Sequence, residues 1–256
     1  MGMENDNAKN LERVKQLVDT YYSGLLPTVK ACLSVCCSMA FANRTRPLSL
    51  ILETTSGYGK SAVVQMFFPL EQEGGLSDYI YRCDKFTPKA FVSHATNVPR
   101  ERLAEIDLLP QIKDKVLVTK ECAPIFRGRD DDLTDIFTIL IPVLDGKGFA
   151  SNSGAQGRRG YLTDIVFNWL GATTPLKRRT HQLMYQLGTR LLFFEVPAVV
   201  LSDHQLTEYA LRDDAGQGET QCREAVNGFC SDSSVTSQWA ACHRRPLRLP
   251  LNVRNR

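Results

Sequence analysis

Thr54-Thr55-Ser56-Gly57-Tyr58-Gly59-Lys60-Ser61 lies between the apolar run Leu48-Ser49-Leu50-Ile51-Leu52 and the segment Ala62-Val63-Val64-Gln65-Met66-Phe67-Phe68. A strand, a glycine-bearing loop and a helix in that order form the local frame of a phosphate-binding loop. Polyphosphate carries dense negative charge, and main-chain N–H groups of a tight loop, a helix N-terminus and one ammonium can converge on it. On this reading Thr55, Ser56, Gly57, Tyr58 and Gly59 line the phosphates, Lys60 contacts them, and Ser61 presents its hydroxyl to Mg2+. Thr54 stands where the pattern G-x-x-x-x-G-K-[ST] has its first glycine, so Gly57 and Gly59 must supply the backbone freedom. The plain alternative is a surface turn with an incidental Gly-Lys-Ser. The flanking strand and helix favour the loop.

Around this motif the chain has 256 residues, enough for one large α/β domain with additions at its ends. Hydrophobic residues make up 43% and charged residues 23%, which argues against a disordered or membrane-embedded chain. The apolar stretch Ala31 to Ala42 is shorter than a bilayer crossing, contains Ser34 and Ser38, and lacks a cleavage pattern after it. A cytosolic protein without a membrane partner is expected. The net charge of +3 and pI near 8.4 are too mild to establish a nucleic-acid partner from composition. The eight cysteines are dilute, and Cys32, Cys36, Cys37 and Cys122 sit in apolar surroundings, so they read as buried reduced thiols. There is no C-x-x-C pair, and Cys222, Cys230, Cys242 and His243 do not have zinc-ligand spacing.

Residues 1–10 are polar and expected to fray. Leu11, Val14, Leu17, Val18 and Tyr21 then recur at helical spacing, and a second helix is expected from Pro27 through Cys32, Val35, Cys36 and Met39. Residues 1–47 thus form a helical N-terminal extension, and 48–211 form the core. Within the core, the loop helix should end near Pro69, and Glu71 to Asp78 reads as an exposed turn. Ala90 to His94 is a strand candidate and Arg100 to Ile106 a helix. Lys115 to Thr119, Ile165 to Ala172 and Leu191 to Val196 read as further strands. Strands alternating with helices predict an α/β fold, a mostly parallel sheet flanked by helices with ligands at the carboxyl ends of its strands. Residues 212–256 change character. No lysine follows Lys177, no acidic residue follows Asp232, and His243 to Pro250 has no periodicity, so an irregular or aberrant tail is expected, or a basic arm.

Hydrolysis needs more than a phosphate cradle. A carboxylate must help to place Mg2+ or the attacking water, and Glu121 follows the apolar Val116-Leu117-Val118-Thr119, with Lys120 between them where the usual acidic pair has its first member. A solvated Lys-Glu step is the alternative. Asp130-Asp131-Asp132 reads as the acidic start of a helix with a stripe of Ile136, Ile139, Leu140 and Val143, ending near Leu144-Asp145-Gly146. Lys147 to Gly160 is rich in glycine and serine, and reads as a flexible loop whose Lys147, Arg158 and Arg159 either contact a polyanion such as DNA or idle at the surface. Asn168 to Pro175 ends a buried strand in hydroxyls. Thr173 or Thr174 would lie beside a γ-phosphate if that strand neighbours the loop strand, and Thr174 would equally cap a following helix with Pro175 at its first position. Arg190 precedes the strand at Leu191, where in a ring-forming ATPase it would reach the γ-phosphate of an adjoining subunit, and otherwise it pairs with an acid such as Glu195.

Taken in order, Thr54 to Ser61, Leu108-Leu109-Pro110, Lys115 to Glu121, Leu144-Asp145-Gly146, Gly171 to Pro175 and Leu187 to Phe193 resemble P-loop ATPases of phages and integrated mobile elements. These are related to the AAA+ and superfamily-three helicase group. The resemblance spans roughly Leu48 to Val196 and implies a P-loop NTPase fold, with ATP and Mg2+ as cofactors. It assigns Lys60 and Ser61 to phosphate and Mg2+, Glu121 to the acidic position, Thr173 and Thr174 to the sensor-like strand end, and Arg190 to the arginine position. The implied function is helicase-like ATP hydrolysis by a homo-oligomeric ring in DNA replication or mobilisation. The alternative is a nucleotide-binding interaction protein with little turnover. A small-molecule kinase would need an acceptor pocket for which no motif is found.

Overall fold

In the computed structural model, residues 3–41, 46–70, 78–93, 99, 102–153, 157–186, 188, 190–198, 203, 207 and 215–231 are described. The apolar run before the loop forms β1 (Ser49–Glu53), and α3 (Lys60–Met66) starts immediately after the loop. With β2 (Ile80–Arg82), β3 (Val116–Thr119), β6 (Asn168–Thr173) and β7 (Leu192–Glu195), β1 builds a five-stranded sheet of order β2-β3-β6-β1-β7 in which every pairing is parallel. The central strands are buried on both faces, as continuous apolar runs in a helix-covered sheet require.

Side chains alternate between two cores. Leu50, Leu52, Val116, Val118, Leu170 and Ala172 face one way, toward α1 (Met3–Tyr21), α2 (Leu26–Cys37) and α3. Ile51, Leu117 and Trp169 face the other way, toward α5 (Leu108–Gln111), α6 (Asp130–Leu144) and α7 (Arg178–Gln186). The short α4 (Leu103–Ile106) leads into α5. Asn168 enters the first core and is satisfied there: its Nδ2 donates to Val35 O and Ser38 Oγ, both at 2.7 Å, and its Oδ1 accepts from Leu48 N at 2.9 Å. This anchors α2 to the sheet, so the N-terminal helices share the sheet's core.

Several expectations change. Helix α1 begins at Met3, well before its apolar stripe. The strand expected at Ala90 to His94 is not formed: Pro88–Ala90 is a 3-10 turn and Phe91 is buried beyond it, while His94 lies outside the described residues. The fifth strand is instead Ile80–Arg82, too short to show a period in sequence. The segment read as a loop from Lys147 to Gly160 contains an antiparallel hairpin of β4 (Phe149–Ser153) and β5 (Gly157–Tyr161), of which 154–156 lie outside the described residues. Helix α6 buries Leu133, Phe137, Leu140, Val143 and Leu144, leaving Ile136 and Ile139 at its margin.

The irregular tail expected from 212 does not hold for 215–230. Ala215–Cys230 is a helix, α8, whose Cys222, Ala225, Val226 and Cys230 are buried in the first core. It packs on α1 and α3 and closes the end of α3. Arg223 donates to Phe68 O at 3.0 Å and to Pro69 O, and Asn227 Nδ2 donates to Phe68 O at 3.2 Å. These bonds satisfy carbonyls left open where the loop helix stops. The expected turn from Glu71 to Asp78 lies outside the described residues except Asp78, as do 232–256. Among the described residues no helix is long and apolar enough to cross a membrane.

Candidate functional site

Strand β1 sends its following helix, α3, to one face of the sheet, whereas its neighbour β6 sends α7 to the other. Adjacent strands whose helices diverge leave a crevice at their carboxyl ends, where open α/β sheets bind ligands. The 54–61 loop occupies that crevice. Gly57 and Gly59 adopt φ of +95° and +78°, left-handed conformations that favour glycine. A Cβ on Gly59 would stand 2.5 Å from Leu25 Cδ1, so this turn is also pressed against the start of α2.

Lys60 begins α3 and is only 5% exposed. Its Nζ turns back along the loop and donates to Thr55 O at 3.4 Å. Among the described residues it has no acidic partner. Ser61 follows, half-buried, while Thr55, Ser56, Gly57 and Tyr58 are exposed.

Glu53 pairs with Thr173 across β1 and β6, and Thr54 N donates to Thr173 O at 3.4 Å, so the hydroxyl-bearing strand end does neighbour the loop. The buried Thr173 hydroxyl donates to Thr174 O at 3.0 Å. Thr174 does not cap α7, which starts only at Arg178. Its hydroxyl instead accepts a bond of 2.7 Å from Arg127.

Glu121 lies past β3, one strand further from the loop. The chain there curls toward β6, with Cys122 N donating to Ala172 O at 2.6 Å. The Glu121 Oε1 accepts from Ala123 N at 2.9 Å and so caps the turn that follows. Arg190 grips Asp145 with two bonds, Nε to Oδ1 at 2.8 Å and Nη2 to Oδ2 at 2.9 Å, and this pairing holds its ionisation above the ordinary arginine range. Lys147 faces Asp164, with both oxygens at 3.3 Å. On the hairpin, Arg159 docks onto Ser93 O at 2.9 Å and Arg158 is exposed. The structure therefore gathers the loop, Thr173 and Thr174 into one crevice, and leaves Arg190 and the hairpin bases elsewhere.

Three residues at the crevice are not among the sequence candidates: Glu53, Arg127 and His181; Glu195, named there only as a partner for Arg190, also lines it. Glu53 ends β1 on the same face as Ile51. Its Oε1 accepts from Leu176 N at 2.7 Å and from His181 Nε2 at 3.2 Å. Strand parity alone would have pointed it there. A cavity of about 650 Å3 opens beside the loop, with Thr54, Thr55 and Tyr58 on one side and Pro175, Glu195 and Pro197 on the other.

The seven described cysteines are free. Burial pushes the Cys222 thiol up to about 11, and the fully buried Cys32 and Cys122 higher still. Among the described residues no three His, Cys, Asp or Glu side chains gather in a metal-binding group.

No family model matches the chain, and no curated protein matches it. Among solved structures, the apo A form of the C-terminal region of NrS-1 aligns with a TM-score of 0.30 and 10% identity, covering 90% of this chain. The chain spans about half of that structure's length, 51%.

Proposed function

We propose that the 54–61 loop is a P-loop that binds ATP with Mg2+, and that the chain hydrolyses it as a helicase-like homo-oligomer serving DNA replication or mobilisation of a phage or mobile element. One observation carries the reading: Lys60 is 5% exposed, and among the described residues its ammonium holds only a carbonyl, at 3.4 Å. Burying an ammonium without a counter-charge is costly, and an arriving polyphosphate removes that cost. The position of the loop at the β1–β6 switch point, and its two left-handed glycines, support the same ligand.

Within this reading Lys60 neutralises phosphate charge, and Ser61 holds the hydroxyl that would ligate Mg2+. Thr173 or Thr174 senses the terminal phosphate from the adjoining strand, and water is the nucleophile. Catalysis is then positioning plus charge neutralisation. Glu121 serves as the carboxylate for metal or water after releasing Ala123 N, and Arg190 reaches a neighbouring subunit only after releasing Asp145. The hairpin, with Arg158 exposed between α6 and β6, is the DNA-facing element.

The engagement of both Glu121 and Arg190 within their own chain favours a second reading, a nucleotide-regulated interaction protein with little turnover. One assay separates the two: ATP binding and turnover with and without single-stranded DNA, with Lys60→Ala as control. The hydrolase reading expects turnover that Lys60→Ala lowers by about 100-fold or more. Binding without turnover in the native chain selects the second reading. Native binding equal to that of Lys60→Ala overturns both.

A further inference from the structure

On the α6–α7 side of the sheet, behind the strand end that carries Glu53, lies a cavity of about 470 Å3. This is a volume ordinary for small-ligand sites. Leu140 and Phe137 of α6, Met184 of α7 and Phe193 of β7 make its apolar wall, and Tyr185 and Leu192, exposed by 72% and 50%, stand at its rim. The acidic and basic side chains lining it are Glu53, His181, Glu195 and Arg190.

Their partners decide what the cavity can hold. The Arg190 guanidinium is already cancelled by the two-pronged grip of Asp145. His181 Nε2 faces Glu53 Oε1, and because a carboxylate only accepts, this nitrogen carries the hydrogen. The Leu176 N–H also lands on Oε1, so among the described residues nothing donates to Glu53 Oε2. The Glu195 carboxylate likewise has no hydrogen bond or ion pair among them. Two carboxylates thus border an apolar chamber whose single guanidinium is spoken for. An anion placed there meets repulsion, and a neutral hydrocarbon leaves both carboxylates facing an apolar body.

We propose that this cavity binds a small organic cation, an amine on an aromatic body, with the ring against Leu140, Met184 and Phe193 and the ammonium on Glu53 and Glu195. Glu53 and Glu195 also line the cavity beside the 54–61 loop, so an occupant here would be felt there.

Calorimetric titration of the full chain at pH 7 with tryptamine, 3-methylindole and indole-3-propionate varies charge on one ring system. Tryptamine should bind about 10-fold or more tighter than 3-methylindole, as a charge-assisted hydrogen bond warrants, and the acid weakest. Glu53→Gln keeps an acceptor for Leu176 N and should erase most of the advantage of tryptamine while leaving 3-methylindole unchanged. Glu195→Gln, at an exposed position, provides the same readout should Glu53→Gln fail to fold. Leu140→Trp should abolish binding of all three in a protein that still melts cooperatively. Equal affinity for amine and acid, indifference to both carboxylate substitutions, or no tryptamine binding at millimolar concentration would each overturn the proposal.

Discussion

On the face covered by α1, α2, α3 and α8, side chains such as Val14, Val18, Leu33, Met66 and Val226 close a continuous core, and Asn168 enters it with three hydrogen bonds satisfied. On the opposite face, α6 and α7 stand over Ile51, Trp169 and Phe193 with a cavity of about 470 Å3 between them. The same strands supply both faces, residue by alternate residue. What differs is the partner: four helices fill the first face, including one from beyond residue 214, while the second is left open where β1 ends in a carboxylate rather than a methyl. The closed face carries the fold and fixes the loop helix. The open face carries polar groups that an apolar lining does not satisfy.

Matched truncations test that contrast most directly. Leu33 is 4% exposed on the closed face and Leu140 is 2% exposed on the open one, so burial alone predicts equal losses. Truncation to alanine costs ~2–5 kcal/mol according to how much new void remains. Leu140 already borders the cavity, so some of its methyl surface has no partner to lose. Urea denaturation should show Leu33→Ala losing about 4 kcal/mol and Leu140→Ala about 2 kcal/mol. Equal losses would mean that the cavity is no real gap in the packing.

The hairpin on the open side gives a pH test. Tyr161 Oη donates to Asp107 Oδ2 at 2.8 Å, and the 3% exposed Asp107 also accepts from Ser93 N at 2.7 Å. Burial, then the hydrogen bond to Asp107 and its charge, raise the Tyr161 hydroxyl well above its ordinary value of 10.0. The folded chain therefore keeps a proton that the unfolded chain releases. The stability from this bond is fully present below pH 10 and is lost as pH climbs toward the folded value. Tyr161→Phe should cost about 1–2 kcal/mol at pH 8, and this difference should shrink steadily above pH 10. Comparing the two proteins is necessary because Tyr22, raised to about 12, gives both a shared decline. A difference that stays constant to pH 11 would remove Tyr161 as its source.

The parts legible in the sequence are those fixed by local pattern. The runs around Leu50, Val116 and Leu170 declare buried parallel strands, Gly57 and Gly59 declare the turn, and the acids at Asp130 declare the start of α6. Illegible parts depend on distant partners. Strand β2 is three residues long and exists because Ile80 pairs with Val116. Helix α8 has its signal in the spacing of Cys222, Ala225, Val226 and Cys230, but the composition around it, with no lysine after Lys177 and no acid after Asp232, masks that period. At the crevice, the positions of Lys60 and Thr173 are legible because the loop motif and the strand end are local. His181 was missed because its meaning lies in the contact with Glu53, 128 residues away.

The smallest effect concerns an imperfection of the closed face. Thr28 is fully buried in α2, and its Oγ1 has no hydrogen-bond partner among the described residues. A helical threonine usually bonds a carbonyl one turn back. Here Leu25 rather than a longer helix precedes it, and the Leu25 carbonyl receives the Val29 N–H at 3.0 Å. The hydroxyl therefore pays desolvation without return, so valine, of the same shape, should be accepted. Thr28→Val should raise stability by about 1 kcal/mol, seen as a higher urea midpoint at unchanged slope. A loss of that size would instead reveal a hydroxyl that is bonded in solution, and the face would then be less dry than its packing implies.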